Sequence, residues 1–198
     1  MRASVKSILL ATALNVAAAP AIAQSKGDVH LGFGVTSVMP KSDNGDLSGL
    51  ELDIDDATAA SFTAEYFVAD NIGVELFLST KLNHDFDLGG VPTGDFELRL
   101  PTVSANYHFA TNSLWKPYVG IGATYAIVSD ESLTGVSIEN AWGIGVQAGL
   151  DYQVSDQGAF RINLRYIDID ADVKSFGVKQ GTADVDPLVV TAAYVFRF

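Results

Sequence analysis

From Asp28 onward the chain alternates apolar and polar residues with a period of two, in long stretches closed by Gly, Asp, Asn or Ser. The pattern predicts eight strands: Asp28–Val38, Ala57–Val68, Ile72–Leu82, Phe96–Phe109, Trp115–Val128, Ala141–Val154, Ala159–Asp170 and Pro187–Phe198. The connections alternate in length. Short turns at Asp70-Asn71, Thr111-Asn112-Ser113 and Ser155–Gly158 follow the second, fourth and sixth strands. Longer, loop-like connections follow the others: a Gly/Asp-rich run to Asp56, Asn83–Asp95, a stretch ending at Asn140, and one carrying Lys174, Gly177 and Gly181 to Asp186. Short turns on one side and long loops on the other are the asymmetry of an outer-membrane β-barrel. The expected fold class is therefore all-β, an eight-stranded antiparallel up-and-down transmembrane barrel with both termini on the periplasmic side.

Alternation also assigns faces. In the sixth strand Trp142, Ile144, Val146, Ala148, Leu150, Tyr152 and Val154 share one side, against Gly143, Gly145, Gln147, Gly149, Asp151 and Gln153. In the seventh, Phe160, Ile162, Leu164 and Tyr166 oppose Arg161, Asn163 and Arg165. A soluble sandwich alternates too, with its faces inverted. The aromatic strand ends favour lipid outside. Tyr66, Tyr107, Phe109, Trp115, Tyr118, Tyr152, Phe160, Tyr194, Phe196 and the terminal Phe198 are expected to form a periplasmic-side girdle, and Trp142 to belong to the opposite belt. The fourth strand breaks phase. Phe96, Leu98 and Leu100 share one parity, while Val103, Ala105, Tyr107 and Phe109 take the other. Pro101 stands at the switch and cannot donate to a ladder, which predicts a bulge or a local opening in the wall at Leu100 and Pro101.

The inward residues then form a gradient along the barrel axis. Toward the periplasm lie His30, Glu65, Glu75, Asn106, His108, Asp151, Arg161, Asn163, Arg165 and Arg197, with both charge signs present, so a paired polar plug is expected. Toward the outside lie Val38, Ala59, Phe77, Ala126, Val128, Ile167, Ile169 and Val189, with Lys81, Glu97 and Arg99 as charged exceptions. These apolar residues fit a hydrophobic, outward-open channel; they equally fit ordinary packing of a narrow lumen. The channel reading has small apolar molecules entering from outside and leaving sideways near Pro101.

Composition narrows the classes. Arg2 and Lys6, the apolar run Ile8–Ala19 and the small-x-small site Ala21-Ile22-Ala23 mark residues 1–23 as an export signal, leaving residues 24–198 as the barrel domain. The formal charge of −12 becomes two units more negative once Arg2 and Lys6 are removed, which disfavours nucleic acid as a partner. There is no cysteine, hence no disulfide or thiol chemistry.

The chemical motifs are weak. Gly143-Ile144-Gly145-Val146-Gln147-Ala148 matches a loose dinucleotide fingerprint, yet it lies within one strand with no helix after it. Asp168-x-Asp170-x-Asp172 opens like a calcium loop, but Val173 and Lys179 stand where glycine and glutamate are needed. Asp43, Asp46, Glu51, Asp53, Asp55 and Asp56 read as a solvated acidic loop. His30, His84 and His108 lack metal-ligand spacing, and no nucleophile, base and orienter can be assembled, so neither a metal nor a cofactor nor an enzyme is expected.

Several segments carry a family resemblance. Lys116-Pro117-Tyr118-Val119-Gly120-Ile121-Gly122, Gln147–Tyr152, Arg165–Ile169 and Val185-Asp186-Pro187 through Phe198 resemble the OmpW family, as do Gly32, Met39-Pro40 and Leu100-Pro101-Thr102. The resemblance implies an eight-stranded outer-membrane barrel whose hydrophobic channel passes small hydrophobic compounds with a lateral exit. It also implies contact with outer-membrane lipid and lipopolysaccharide, and recognition of the C-terminal strand by the barrel-assembly machinery. A structural or surface-interaction barrel, meeting ions, host molecules or phage through its acidic loops, is the alternative; a lipid-modifying enzyme is a third class.

Overall fold

A strand that alternates for ten or more residues has two unlike faces, and closing the sheet on itself turns them into an inside and an outside. The computed structural model describes residues 24–47, 49–132 and 135–198; the expected export signal at 1–23 lies outside the described residues. Fifteen strands occur among them: β1 (Val29–Met39), β2 (Asp46–Leu47), β3 (Leu50–Ile54), β4 (Ala57–Ala69), β5 (Ile72–Ser79), β6 (Leu82–Leu88), β7 (Val91–Arg99), β8 (Thr102–His108), β9 (Trp115–Ser129), β10 (Val136–Ile138), β11 (Ala141–Ser155), β12 (Gly158–Asp168), β13 (Asp170–Ser175), β14 (Val178–Asp184) and β15 (Leu188–Arg197).

Eight of these close the barrel in the order β1-β4-β5-β8-β9-β11-β12-β15, every neighbour antiparallel. The closing seam runs from His30 opposite Arg197 to Met39 opposite Leu188. Phe198 completes it by exchanging backbone bonds with Val29 at 2.9 and 3.0 Å. Closure removes the free edges that a polar backbone cannot present to lipid.

The outer face of the closed part is apolar, with Ile121, Ile144 and Ile162 each more than half exposed. A continuous apolar belt of this kind belongs in a bilayer. Trp115 packs on Tyr152 at 4.6 Å near the periplasmic turns, and Tyr125 on Trp142 at 4.7 Å near the other end. At the tight turn between β4 and β5, Asn71 takes a left-handed conformation (φ 64°), which asparagine tolerates better than most residues.

The four long connections are not loops. β2 and β3, the β6–β7 hairpin, β10, and the β13–β14 hairpin carry the wall beyond the bilayer. Asn44, fully buried, joins the first connection to the last. It donates to the Asp184 carbonyl at 3.0 Å, accepts from Ile54 N at 3.0 Å, and its own carbonyl accepts from Asp184 N at 3.1 Å. The expected loop Asn83–Asp95 is thus most of a hairpin, and the expected third strand Ile72–Leu82 breaks after Ser79. The sequence reading failed here because outward Asn83, Asp85 and Asp87 look like loop residues when the outside is assumed to be lipid.

The phase break in the fourth predicted strand is likewise corrected. Phe96, Leu98, Leu100, Thr102, Ser104, Asn106 and His108 all face inward, without interruption. The strand keeps its parity while its environment changes. Below Pro101 the outside is lipid, so Val103, Ala105 and Tyr107 are apolar and the lumen is polar. Above it the outside is water, so Glu97 and Arg99 point outward and the lumen is apolar. Glu97, Arg99 and Lys81 are therefore not charged exceptions in the lumen: they lie on the outer wall. The same inversion falls between Arg165 and Ile167 inside, and between Tyr166 and Asp168 outside. The Asp168-x-Asp170-x-Asp172 run is simply the wetted face of that extended strand.

Candidate functional site: a charged plug beneath an apolar chamber

Within the bilayer span the lumen is filled. Arg161 on β12 is its hub. Its guanidinium donates to Asp151 at 2.7 and 3.0 Å, to Glu75 at 3.0 Å and to Glu65 at 3.3 Å, and stacks 4.6 Å from the Tyr118 ring. Arg165 donates to Glu75 at 3.0 Å and to Gln147 at 2.6 and 3.0 Å. Glu65 accepts from Asn106 at 2.8 Å and meets His108 Nε2 at 2.8 Å. Arg197 closes the periplasmic end 3.6 Å from Asp151.

The charges balance, with Glu65, Glu75 and Asp151 against Arg161, Arg165 and Arg197. Paired and multiply hydrogen-bonded charges can stay buried where isolated ones cannot. Every plug residue named from the sequence lies in this assembly, at most 4 % exposed except Arg197, which is half-buried. Small residues make room for it. A Cβ at Gly149 would strike the Tyr118 ring, and one at Gly73 would strike Glu65.

Two aromatic residues belong to the plug although the sequence reading placed one elsewhere and overlooked the other. Tyr118 is not in the interfacial girdle. It shares parity with inward Lys116, stacks on His108 at 4.8 Å, and its hydroxyl accepts from Asn163 at 2.9 Å. Phe67, fully buried, lies between the His30 and His108 rings at 4.8 and 4.9 Å.

Phe77 covers the top of the plug, its ring 4.4 Å from the Arg165 guanidinium. Above it Val38, Ile167 and Val189 are at most 1 % exposed and Ala59 is buried beside them, so this layer is packed solid. Over that layer the lumen opens into two apolar cavities. The lower, of about 30 Å³, is lined by Leu100, Val128, Ile169 and Ala126 among others. The upper, of about 220 Å³, is lined by Leu47, Leu52, Phe86, Leu88, Val136 and Val173. Ile54, Phe96, Ile138 and Ala183 line both and form a neck between them.

Of the channel residues named from the sequence, Ala126, Val128 and Ile169 thus line a cavity. Val38, Ala59, Ile167 and Val189 form the floor, and Phe77 belongs to the plug. The chamber residues of β3, β6, β7 and β10 were missed. Their alternation was the available signal, had the faces been inverted above Pro101.

The wall is loosest at the level of Pro101. On one side, β4 pairs with β5 up to Ser61 opposite Ser79, with Thr80 N still donating to Ala60 O, and pairing resumes where Asp55 N donates to Asp85 O and Ile54 stands opposite Phe86. On the other, β5 pairs with β8 up to Phe77 opposite Thr102, and β6 with β7 from Leu82 opposite Leu98, one residue out of register. The segment between Leu78 and Lys81 is therefore held by β4 as far as Thr80 but unpaired on its Leu100–Pro101 flank. The bulge expected at Pro101 lies across from it instead. Pro101 accepts from Tyr125 N at 3.0 Å, so its missing donor faces β9, whose register with β7 and β8 is continuous. Outside this segment Lys81 pairs with Glu97 at 2.6 Å and Asp130 at 3.4 Å.

Among the described residues no group of His, Asp and Glu is arranged to hold a metal ion.

This architecture has known counterparts. Outer membrane protein W of Salmonella typhi is 31 % identical over 196 residues, covering 90 % of this chain and 92 % of that protein. The uncharacterized outer-membrane protein y4mB of Sinorhizobium fredii is 30 % identical over 177 residues, covering 84 % of this chain and 77 % of that one. The crystal structure of the outer membrane protein OprG from Pseudomonas aeruginosa superposes with a TM-score of 0.75 at 27 % identity, covering 88 % of this chain and 97 % of that one. The OmpW family model matches residues 25–198. This closed, plugged, eight-stranded barrel is an outer-membrane protein and belongs to the OmpW family.

Proposed function

We propose that the barrel admits small hydrophobic molecules into its extracellular chamber and releases them sideways into the membrane beside Leu100 and Pro101. One observation carries this reading: the inward face turns from charged to apolar at the level where the outward face turns from apolar to charged. Apolar lumen residues above the bilayer have no lipid to meet, and they surround cavity rather than only each other. Straight passage to the periplasm is opposed by the solid floor and by the ion-paired plug. The stretch between Leu78 and Lys81, unpaired on its Leu100–Pro101 flank, supports a sideways exit at the membrane surface. In the same proposal, the outward apolar belt meets outer-membrane lipid and lipopolysaccharide, and the strand ending at Phe198 is what the barrel-assembly machinery reads.

The test compares dye entry into lipid vesicles carrying wild type, Ile169→Asp or Phe96→Asp, with an apolar naphthylamine dye added outside. Both substitutions place a charge in the chamber, and uptake is expected to fall at least about tenfold, the scale of one unpaired buried polar group. Equal uptake by folded variants and wild type would remove the transport reading and leave the surface-interaction barrel in its place.

A further inference from the structure

Among the described residues outside the plug, one fully buried polar side chain beside the apolar lumen has a hydrogen-bonding atom without a partner. His84 on β6 is 1 % exposed and lines the lower cavity, its ring stacked on Phe96 at 5.5 Å between centroids and 18° between planes. Its outward neighbours Asn83 and Asp85 are polar, which places it above the bilayer. Nδ1 lies 2.7 Å from the backbone carbonyl of Asp55. A carbonyl only accepts, so Nδ1 carries the proton and donates. Nε2, at the far edge of the ring, has no hydrogen-bonding partner among the described residues. Burial lowers the pKa of this imidazole, with the Asp55 carbonyl and the Asp56 and Asp55 carboxylates acting the other way. A neutral ring held in this tautomer presents Nε2 as a pure acceptor.

The plug's unpartnered nitrogens differ: those of His30, His108 and Arg165 are packed among charged groups below the floor. His30 reaches only the polar periplasmic mouth, beside Asp28, Lys116 and Arg197, whereas His84 alone of these reaches the apolar chamber, whose lining there includes Leu98, Leu100, Ala126, Ile169 and Phe96. An acceptor without a partner in apolar surroundings discriminates strongly between ligands, because a molecule that cannot donate leaves it unsatisfied.

We infer that His84 Nε2 is the polar anchor of the chamber, selecting hydrophobic molecules that carry one hydrogen-bond donor, of the medium-chain alcohol class, over pure hydrocarbons and over ethers that only accept. The inference rests on the proposed uptake of hydrophobic molecules and names the substrate class of that same site. A donor head on His84 would leave the apolar tail to run through the neck at Phe96 into the upper cavity.

The experiment uses the full barrel in lipid nanodiscs, ¹⁵N-labelled at histidine, with 1-octanol, methyl octyl ether and n-octane as probes. Octanol is expected to bind about five- to tenfold more tightly than the ether, the scale of one hydrogen bond in a dry site. It is also expected to shift the His84 Nε2 resonance, which the ether leaves in place. His84→Asn keeps a donor near the Asp55 carbonyl but removes the distal acceptor, and should bind the two probes equally. His84→Gln, whose amide reaches the Nε2 position, should restore part of the preference. Both variants are first checked for heat-modifiable gel mobility, and the wild-type Nε2 shift decides the matter if neither folds. Equal binding of octanol and ether, with the Nε2 resonance unmoved, would overturn the anchor while leaving uptake intact. Binding of none of the three would instead overturn the proposed function itself.

Discussion

Replacing Arg161 by glutamine removes the cation that three buried carboxylates share. Arg161 is 2 % exposed and donates twice to Asp151, once to Glu75 and once to Glu65. After the substitution the guanidiniums left to those three carboxylates are Arg165, which reaches Glu75 at 3.0 Å, and Arg197, which stands 3.6 Å from Asp151. Four charge-assisted bonds at about 1.5–3 kcal/mol each overstate the loss, because the guanidinium regains hydration in the unfolded chain. Breaking a buried pair from one side costs about 3–5 kcal/mol, and that is the expected destabilisation. Reversible urea unfolding in phospholipid vesicles, followed by tryptophan emission, measures it. The charge-balance argument makes a sharper demand of the double variant. Arg161→Gln with Asp151→Asn leaves two carboxylates and two guanidiniums, so the second substitution should cost far less in the variant than in wild type. A favourable coupling of about 2 kcal/mol or more is expected. Additive losses, or an Arg161→Gln cost under about 1 kcal/mol, would refute the plug as a balanced network.

Three further outcomes follow from the same geometry. Gly149→Ala should destabilise the barrel by about 1–3 kcal/mol in the same titration, since its Cβ would land on the Tyr118 ring inside a filled lumen. The chain holds two tryptophans, Trp115 and Trp142, assigned to opposite bilayer surfaces, so lipids brominated near the headgroup should quench wild-type emission more than lipids brominated near the chain ends. Because the chain has no cysteine, Thr80→Cys with Arg99→Cys can be joined by a short bismaleimide across the loosely paired segment. The join should leave dye binding in the chamber intact and slow its transfer to the bilayer; unchanged transfer would place the exit elsewhere.

The eight barrel strands and the plug could be read from the chain because both depend only on period-two parity. Glu65, Glu75, Asp151, Arg161 and Arg165 share parity with glycine-rich or polar partners and could go nowhere but inside. What parity does not carry is the solvent on the far side of the wall. Phe96, Leu98 and Leu100 are inward in the structure, yet beside a lipid-facing Val103 the same pattern reads as a slipped phase. Glu97 and Arg99 were drawn into the lumen by the same assumption. Tyr118 was misread for a related reason: aromatic residues near strand ends usually mark the interface, and only the inward Lys116 two residues earlier distinguishes it from Trp115. Asn44 gave no local signal at all, because its partners at Ile54 and Asp184 come from connections far apart in the chain.

The two possible exits from the chamber differ in energetic scale. A molecule moving straight down must displace Phe77 from Arg165 and then separate the Arg161 and Arg165 pairs with Glu65, Glu75 and Asp151. Each buried pair broken from one side costs about 3–5 kcal/mol, and no new partner enters with an apolar solute. A molecule moving sideways meets a wall whose backbone pairing lapses around Leu78–Lys81, where the ladder bond nearest the gap is Thr80 N to Ala60 O at 2.9 Å. Opening there loses one or two hydrogen bonds at about 0.5–1.5 kcal/mol each, and an exposed ion pair at Lys81 that water screens. The solute regains its apolar surroundings as soon as it leaves, because the outward face just below is Leu76, Leu78 and Val103. The inversion of polarity at Pro101 thus puts the floor of the chamber, the weakest stretch of wall and the edge of the lipid at one height. For the proposed uptake, that coincidence favours the sideways route over the straight one.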